Sequence, residues 1–237
     1  MHRYLRIASV TAALAAASWS AMAGRPLTTD DAGTAPVGSC ELESWYEHAA
    51  ASHKTRVSAA CGVAEGVELG LEFERPSPRD EVRRRAAVAA KWAPEAGQHD
   101  TALGKLALGV SATLVTARTD ADGWSAADPL VVALATLEPA EHWALHANLG
   151  VARLRATGTT GSLLALAAQW SPHDRLLAFA ETIASDRRAD FGPVVHNVGG
   201  RWWLVEERFG IDLVASREVG GHETTWSIGF GWYGLGF

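Results

Sequence analysis

GVELGLEFE, residues 66–74, alternates without a break. Val67, Leu69, Leu71 and Phe73 fall on one parity, and Glu68, Gly70, Glu72 and Glu74 on the other. A period of two marks a strand with one greasy face and one polar or small face. The pattern recurs along the chain. In EVRRRAAVAAKW (81–92), Ala86, Val88, Ala90 and Trp92 oppose Arg83, Arg85 and Lys91. In EHWALHANLGVARL (141–154), Trp143, Leu145, Ala147, Leu149 and Val151 oppose His142, His146, Asn148 and Gly150. In RFGIDLVAS (208–216), Phe209, Ile211, Leu213 and Ala215 oppose Gly210, Asp212 and Ser216.

Alternation alone does not separate a half-solvated soluble sheet from a membrane barrel. Counting the remaining segments predicts roughly twelve strands of about ten residues, an even number as bacterial transmembrane barrels have. The least regular are 127–138 and 160–170; SLLALAAQW (162–170) suits a helix equally well by propensity. The connections carry the distinction. Every second one pairs an aromatic residue with a short turn holding Pro or an acid: KWAPEAG, LEPAEHW, QWSPHDR and WWLVEERF. The intervening ones, among them ERPSPRD, RATGTTG and SREVGGHE, are more charged or Gly-rich and lack the flanking Trp. Short turns at one rim and more polar loops at the other match an outer-membrane barrel. On that layout Trp92, Trp143, Trp170, Trp202, Phe209, Trp226 and Trp232 are membrane-interface aromatics, their amphipathic rings at headgroup depth.

The ends of the chain agree. MHRYLRIASVTAALAAASWSAMA has a basic start, a short apolar run and Ala21-Met22-Ala23, the form of a secretory signal spanning residues 1–23. That leaves residues 24–38 as a periplasmic N-terminal segment and 39–237 as the barrel. The net charge of −6 becomes about −8 once Arg3 and Arg6 are removed, which argues against a nucleic-acid partner. Both cysteines, Cys40 and Cys61, lie in the exported part. A hairpin turning near Ala49–Ser52 sets them directly opposite, within reach of a disulfide. The last strand ends WSIGFGWYGLGF (226–237): Trp226, Ile228, Phe230 and Trp232 share one face, and Tyr233, Leu235 and Phe237 the other. A terminal aromatic preceded by apolar residues at alternate positions resembles the signature read by the bacterial barrel-assembly machinery. Here it holds for Phe237, Leu235 and Tyr233 and stops at Gly231 and Gly229.

RPLTTDDAGTAPVGSCELESWYEH (25–48) resembles the start of a family of Gram-negative barrels, the putative MetA-pathway of phenol degradation proteins. The matching residues are Pro26, Thr29, Asp30, Asp31, Ala32, Gly33 and Thr34, then Leu42 and Glu43. AETIASDRRAD resembles that family's late hairpin with its Glu181, and VGGRWWLVEERFGIDL its Gly-x-Arg-x-Trp strand, with Arg201, Trp203 and Asp212. The resemblance implies an outer-membrane barrel and, loosely, passage of small molecules, with aromatic ones as candidates.

With the greasy faces turned to lipid, the polar faces line a lumen. Glu68, Glu72, Glu74, Arg83, Arg85, Lys91, His146, Asn148, Glu181, Arg201 and Asp212 are the expected lining. Glu181 shares parity with Leu177 and Phe179, so a phase conflict is expected there. A charged wall is the raw material of a selective pore, and equally a salt-bridge ladder that fills a narrow lumen. Asp30 and Asp31 in TTDDAGT (28–34) are a candidate plug meeting lumen arginines. His142 and His146 have metal-pair spacing only on a helix; on a strand they stand about 13 Å apart. No Gly-x-Ser-x-Gly or His-Glu-x-x-His motif is present, and nothing singles out a triad of His146 with Ser111 and Asp212. The reading is therefore no enzyme, no metal and no cofactor. The chain reads as an all-β antiparallel transmembrane barrel of a Gram-negative outer membrane, passing small solutes passively. A structural, plugged barrel and a soluble β-sandwich or lipocalin-like binder are the alternatives.

Overall fold

The computed structural model describes residues 27–77, 82–119, 123–125, 127–154, 158–186 and 191–237, with the backbone alone at 83, 154, 186 and 191–193. The predicted signal segment, residues 1–23, lies outside the described residues. The strands are β1 (Ser39–His48), β2 (His53–Ala64), β3 (Val67–Ser77), β4 (Val82–Trp92), β5 (Gln98–Thr101), β6 (Gly104–Thr119) and β7 (Gly123–Trp124). They continue as β8 (Asp128–Ala140), β9 (Trp143–Leu154), β10 (Thr159–His173), β11 (Leu176–Asp186), β12 (Phe191–Val205), β13 (Phe209–Glu218) and β14 (Thr224–Gly236). All pairings between these strands are antiparallel. Because β1 pairs both β2 and β14, and β4 pairs β6, the sheet closes into a 12-strand antiparallel barrel. The segment 160–170, equally suited to a helix by propensity, is part of strand β10. No helix among the described residues is long and apolar enough to cross a membrane; the strands form the wall.

The β5 strand departs from the expected connection. The chain leaves the sheet at Ala93-Pro94, makes one 3-10 turn (Glu95–Gly97) and rejoins it as β5 against the start of β6. Pro94 cannot donate to a ladder, so KWAPEAG interrupts a strand and the turn itself is Ala102–Leu103. At the short-turn rim the other connections are Glu65–Gly66, Glu141–His142, Asp174–Arg175 and Glu206–Arg208. The start of β1 and the end of β14 meet at this rim, where the Phe237 N–H donates to the Gly38 carbonyl at 3.1 Å.

The burial pattern is inverted relative to a soluble sheet. Leu71, Phe73, Val88, Leu149 and Leu213 are exposed, Leu149 to 63%. Arg56, Asn148 and Asp212, each 2% exposed, face inward. Water-soluble proteins do not bury charge and expose aliphatic side chains in this systematic way. The strands contact their ring neighbours, and no second layer covers the outward face among the described residues. Trp92, Trp143, Trp170, Trp202, Phe209 and Trp232 stand outward at the short-turn rim, with Trp143 stacked on Trp170 at 5.9 Å. Trp226 lies elsewhere: paired with His48 and Ala215, it sits toward the long-loop rim.

The phase switch at the C-terminus is a bulge. Leu42 pairs Trp232 but Cys40 pairs Leu235, so β14 carries one extra residue. Gly234 supplies the bend with φ +69°, a conformation other residues avoid. Tyr233, before the bend, keeps the inward side that alternation from Trp232 gives it, and its hydroxyl donates to Glu43. Leu235 returns to the outward side with Cys40, so Tyr233 and Leu235 do not share a face as the uninterrupted alternation predicts.

Cys40 and Cys61 are directly opposed on β1 and β2 and joined by a disulfide, Cα–Cα 4.0 Å. The bond closes a loop with a sequence separation of 21, for which chain entropy gives about 3 kcal/mol of stabilisation. The double variant C40S/C61S is expected to form the barrel yet lose its gel-shifted form at a lower temperature than wild type. Equal unfolding temperatures with and without reductant would remove this role from the bond.

Candidate functional site

The site is the lumen, and residues 27–37 run through its lower half. The segment crosses from wall to wall. Thr28 and Thr29 donate backbone N–H groups to the Glu181 carboxylate at 2.7–3.0 Å, and the Thr29 hydroxyl adds another bond at 2.7 Å. Asp30 and Asn148 exchange two bonds, at 2.7 and 2.8 Å. The Ala32 N–H donates to Thr136 Oγ1 at 2.9 Å, and the Ala35 N–H to Glu68 Oε2 at 2.8 Å. Lys91 Nζ donates to Asp30 at 2.8 Å and lies 3.6 Å from Asp31. The aspartates thus meet a lysine, not the lumen arginines anticipated for them. An irregular backbone has orphan polar groups, and here inward side chains of β3, β8, β9 and β11 satisfy them.

Two apolar contacts fix the same path. Leu27 is buried among Ala167, Leu177, Phe179 and Val214. Ala32 is buried against Leu130, Val132, Leu134 and Ala152. The parity conflict at Glu181 is resolved by the first: Leu177, Phe179 and Glu181 all face inward, and Leu27 covers the two apolar ones. The segment leaves the lumen over Gly62, where a Cβ would lie 2.1 Å from the Ala35 carbonyl oxygen and 2.4 Å from that of Pro36. Only glycine permits that approach. Val37 then forms a parallel bridge with Gly62.

Charge gathers in separate clusters. Toward the long-loop rim, Arg56 pairs with Glu74, with Glu72 at 3.5 Å, and Arg85 holds the other Glu74 oxygen at 2.8 Å. Trp45 lies beneath the Arg56 guanidinium at 5.2 Å. On the opposite wall Arg201 makes a bidentate pair with Asp212, at 2.6 and 2.8 Å, and lies 3.8 Å from Glu43. Its guanidinium sits 4.8 Å from the ring centroids of both Trp203 and Tyr233. His146 bonds Thr136 at 3.0 Å. The Arg83 side chain lies outside the described residues. Among the described residues no group of three His, Cys, Asp or Glu is arranged to hold a metal.

Arg56 and Trp45 were not anticipated, and Glu43 and Trp203 entered the sequence reading only through the family resemblance, not as lumen residues. Arg56 sits in KTRVSAACG, where Ser, Ala and Gly give little contrast between faces, although the hairpin register that pairs the cysteines also sets Arg56 beside Trp45. The inward segment leaves a cavity of about 140 Å³ lined by Glu41, Glu43, Ser58 and Lys91 on one side. A cavity of about 530 Å³ lies on the other, lined by His99, Asp100, Lys105 and His146.

A family model described as "Uncharacterised conserved protein UCP029691" matches residues 9–232. The chain belongs to this family. No curated protein matches the sequence. Among solved structures the chain is similar to the KdgM porin (TM-score 0.65, 11% identity, 81% of this chain and 98% of that one). It is similar to the NanC porin (0.60, 8%, 81% and 98%). It is also similar to the COG4313 outer membrane channel from Pseudomonas putida F1 (0.54, 10%, 86% and 98%). The chain thus shares its fold with porins and an outer-membrane channel.

Two outcomes follow from the clusters. Removing Arg201 leaves Asp212 buried without its partner, a loss of about 3–5 kcal/mol for a broken buried pair. R201A is therefore expected to unfold at a clearly lower temperature, with R201K intermediate because lysine lacks the planar fork; an unchanged transition would mean that water replaces the guanidinium. Separately, burial pushes the Asp30 carboxyl up to about 7, from 3.8, against the pull of Lys91 and with Asp31 and Glu68 adding to the rise. A raised pKa in the docked state makes docking strongest below about pH 4, with that contribution lost as pH rises through about 7. A spin label on T34C should gain mobility over that range, and D30N should flatten the response.

Proposed function

We propose that the chain is a narrow outer-membrane pore that passes small solutes passively, with residues 27–37 as its plug. The observation that carries it is a polar, charged lumen inside a closed wall whose outward side is apolar. A membrane supplies the solvent that such an exterior needs, and a closed ring leaves no backbone group unpaired in hydrocarbon. The fold shared with porins and an outer-membrane channel supports the same reading. Residues 1–23 serve as the export signal, and the end of β14 with Phe237 as the segment engaged by the assembly machinery. Glu68, Glu72, Glu74, Arg85, Lys91, His146, Asn148, Glu181, Arg201 and Asp212 line the lumen in this reading, and Asp30 anchors the plug.

The lumen favours cations and amphipathic molecules. Around Lys91 stand Asp30, Asp31 and Glu68; around Arg201, Asp212 and Glu43; Glu181 is held by neutral donors. Arg56 and Arg85 only balance Glu72 and Glu74. Rings of carboxylate select cations. A KdgM porin is known in complex with disordered oligogalacturonate, a polyanion; the carboxylate excess here disfavours such a solute. The inward Leu130, Val132 and Leu163 give the facing wall an apolar surface, and the resemblance to the phenol-degradation barrels supports small aromatic solutes.

Conductance in a planar bilayer tests this. Wild type should pass a small current with a reversal potential favouring cations. Deleting residues 27–36, or placing Leu at Gly62 to expel the segment, should raise the current several-fold. Silence of both variants at all voltages, despite gel-shift proof of folding, would select the structural barrel.

A further inference from the structure

The outward wall carries a charge pattern that conduction does not use. Among the described strand side chains, the outward-facing full charges are all arginines: Arg75, Arg84, Arg118, Arg153 and Arg217, each exposed. No described lysine or carboxylate side chain of the strands shares that face. All five stand toward the long-loop rim, whereas the short-turn rim presents aromatic rings. The inward face, by contrast, mixes Lys, Arg, Asp and Glu freely.

Three of the five are neighbours. Arg84 is directly opposite Arg118 across β4 and β6. Arg75 and Arg84 stand one step beyond the Glu74–Arg85 pair of β3 and β4. The row continues through Thr55, paired with Arg75, and Tyr46, paired with Thr55; at the other end Trp124 is paired with Arg118. On the far side of the barrel Arg217 is paired with His196, and His196 bonds Thr182 at 2.9 Å. Like charges directly opposed weaken strand pairing. No described carboxylate offsets the three arginines. A counter-charge from outside the barrel would turn that repulsion into attraction.

We propose that Arg75, Arg84 and Arg118 bind the phosphate groups of outer-leaflet lipid headgroups, with Arg153 and Arg217 extending the belt. The inference rests on the membrane placement proposed above, not on conduction. The residue type supports it: a guanidinium is always charged and offers a planar fork that grips phosphate bidentately, whereas lysine is a point charge. The depth supports it too. Arginine on a lipid-facing strand costs little near the interface and several kcal/mol at the midplane, and the five sit near strand ends. Tyr46 and Trp124 flank the row with rings suited to headgroup depth.

The full chain, folded into vesicles, provides the test. Phosphatidylcholine vesicles are compared with the same vesicles doped with a bis-phosphorylated glucosamine lipid or with its dephosphorylated form. The phosphorylated lipid is expected to raise the unfolding temperature, read by the gel shift, by several degrees. The dephosphorylated form should not. R75Q/R84Q/R118Q should lose the increment while unfolding like wild type in neutral detergent, and the triple Lys variant should keep part of it. If the triple Gln variant fails to fold, native mass spectrometry of wild type takes its place, with the phosphorylated lipid expected to be retained over the dephosphorylated one. An equal shift from both lipids, or an undiminished shift in the Gln variant, would overturn the proposal. So would the absence of any shift, since loop carboxylates would then be satisfying the arginines. A barrel that enters no vesicle would sink the membrane placement instead, and an absent current would leave the belt untouched.

Discussion

Closing the ring is the condition on which everything else depends. The pairing of β1 with β14 removes the two free edges that twelve strands would otherwise expose. An unpaired edge is intolerable in hydrocarbon, where each orphan N–H or C=O costs several kcal/mol. Once the ring is closed, side chains have only two places to go. Because the outward side is given mainly to Leu, Val, Trp and Phe, most polar groups of the strands must be accommodated in a narrow interior. The buried ion pairs, the bonded N-terminal segment and the inward tyrosine are consequences of that crowding.

Crowding also explains the form of the ion pairs. A charge taken from water is costly unless paired and hydrogen-bonded. Arg56 and Arg201, both nearly inaccessible, meet the condition in the same way, with a carboxylate across one strand and an aromatic ring against the guanidinium face. Glu181 meets it without any cation, by accepting from Thr28, Thr29 and Asn197. That last arrangement ties the plug to the wall: withdrawing residues 28 and 29 strips a buried carboxylate of most of its donors. The segment is thus held by the polar cost of leaving as much as by the contacts of Leu27 and Ala32.

Much of this was legible in the sequence because period-two alternation survives every tertiary detail. The stretch 66–74 states its two faces outright, and the difference between successive turns distinguishes the rims. The cysteine pairing follows from the register of a single hairpin. What was not legible has local causes. Pro94 breaks β4 and shifts the turn by several residues. Gly234 inserts a bulge that returns Leu235 to the outward side, which alternation cannot anticipate because glycine marks the place without fixing the phase. Arg56 was hidden in a strand of small residues. Leu177 and Phe179 looked misplaced beside Glu181 until Leu27, distant in sequence, was found covering them.

The two faces of the barrel solve different electrostatic problems. Inside, a charge has a partner within the same chain, so both signs occur and the clusters are self-contained. Outside, on the proposed membrane placement, a charge in the strand region has hydrocarbon below it and headgroups beside it, so the sign of the surroundings dictates the sign of the residue. Among the described strand side chains the outward charges are arginine alone, at one rim alone, and on the proposed placement this matches the wall to a leaflet and not merely to lipid. An aromatic girdle suits any interface, since a ring needs only a boundary between oil and water. A belt of guanidinium groups needs anions at a defined height. On that placement the asymmetry specifies which way up the barrel belongs, without reference to what passes through the middle.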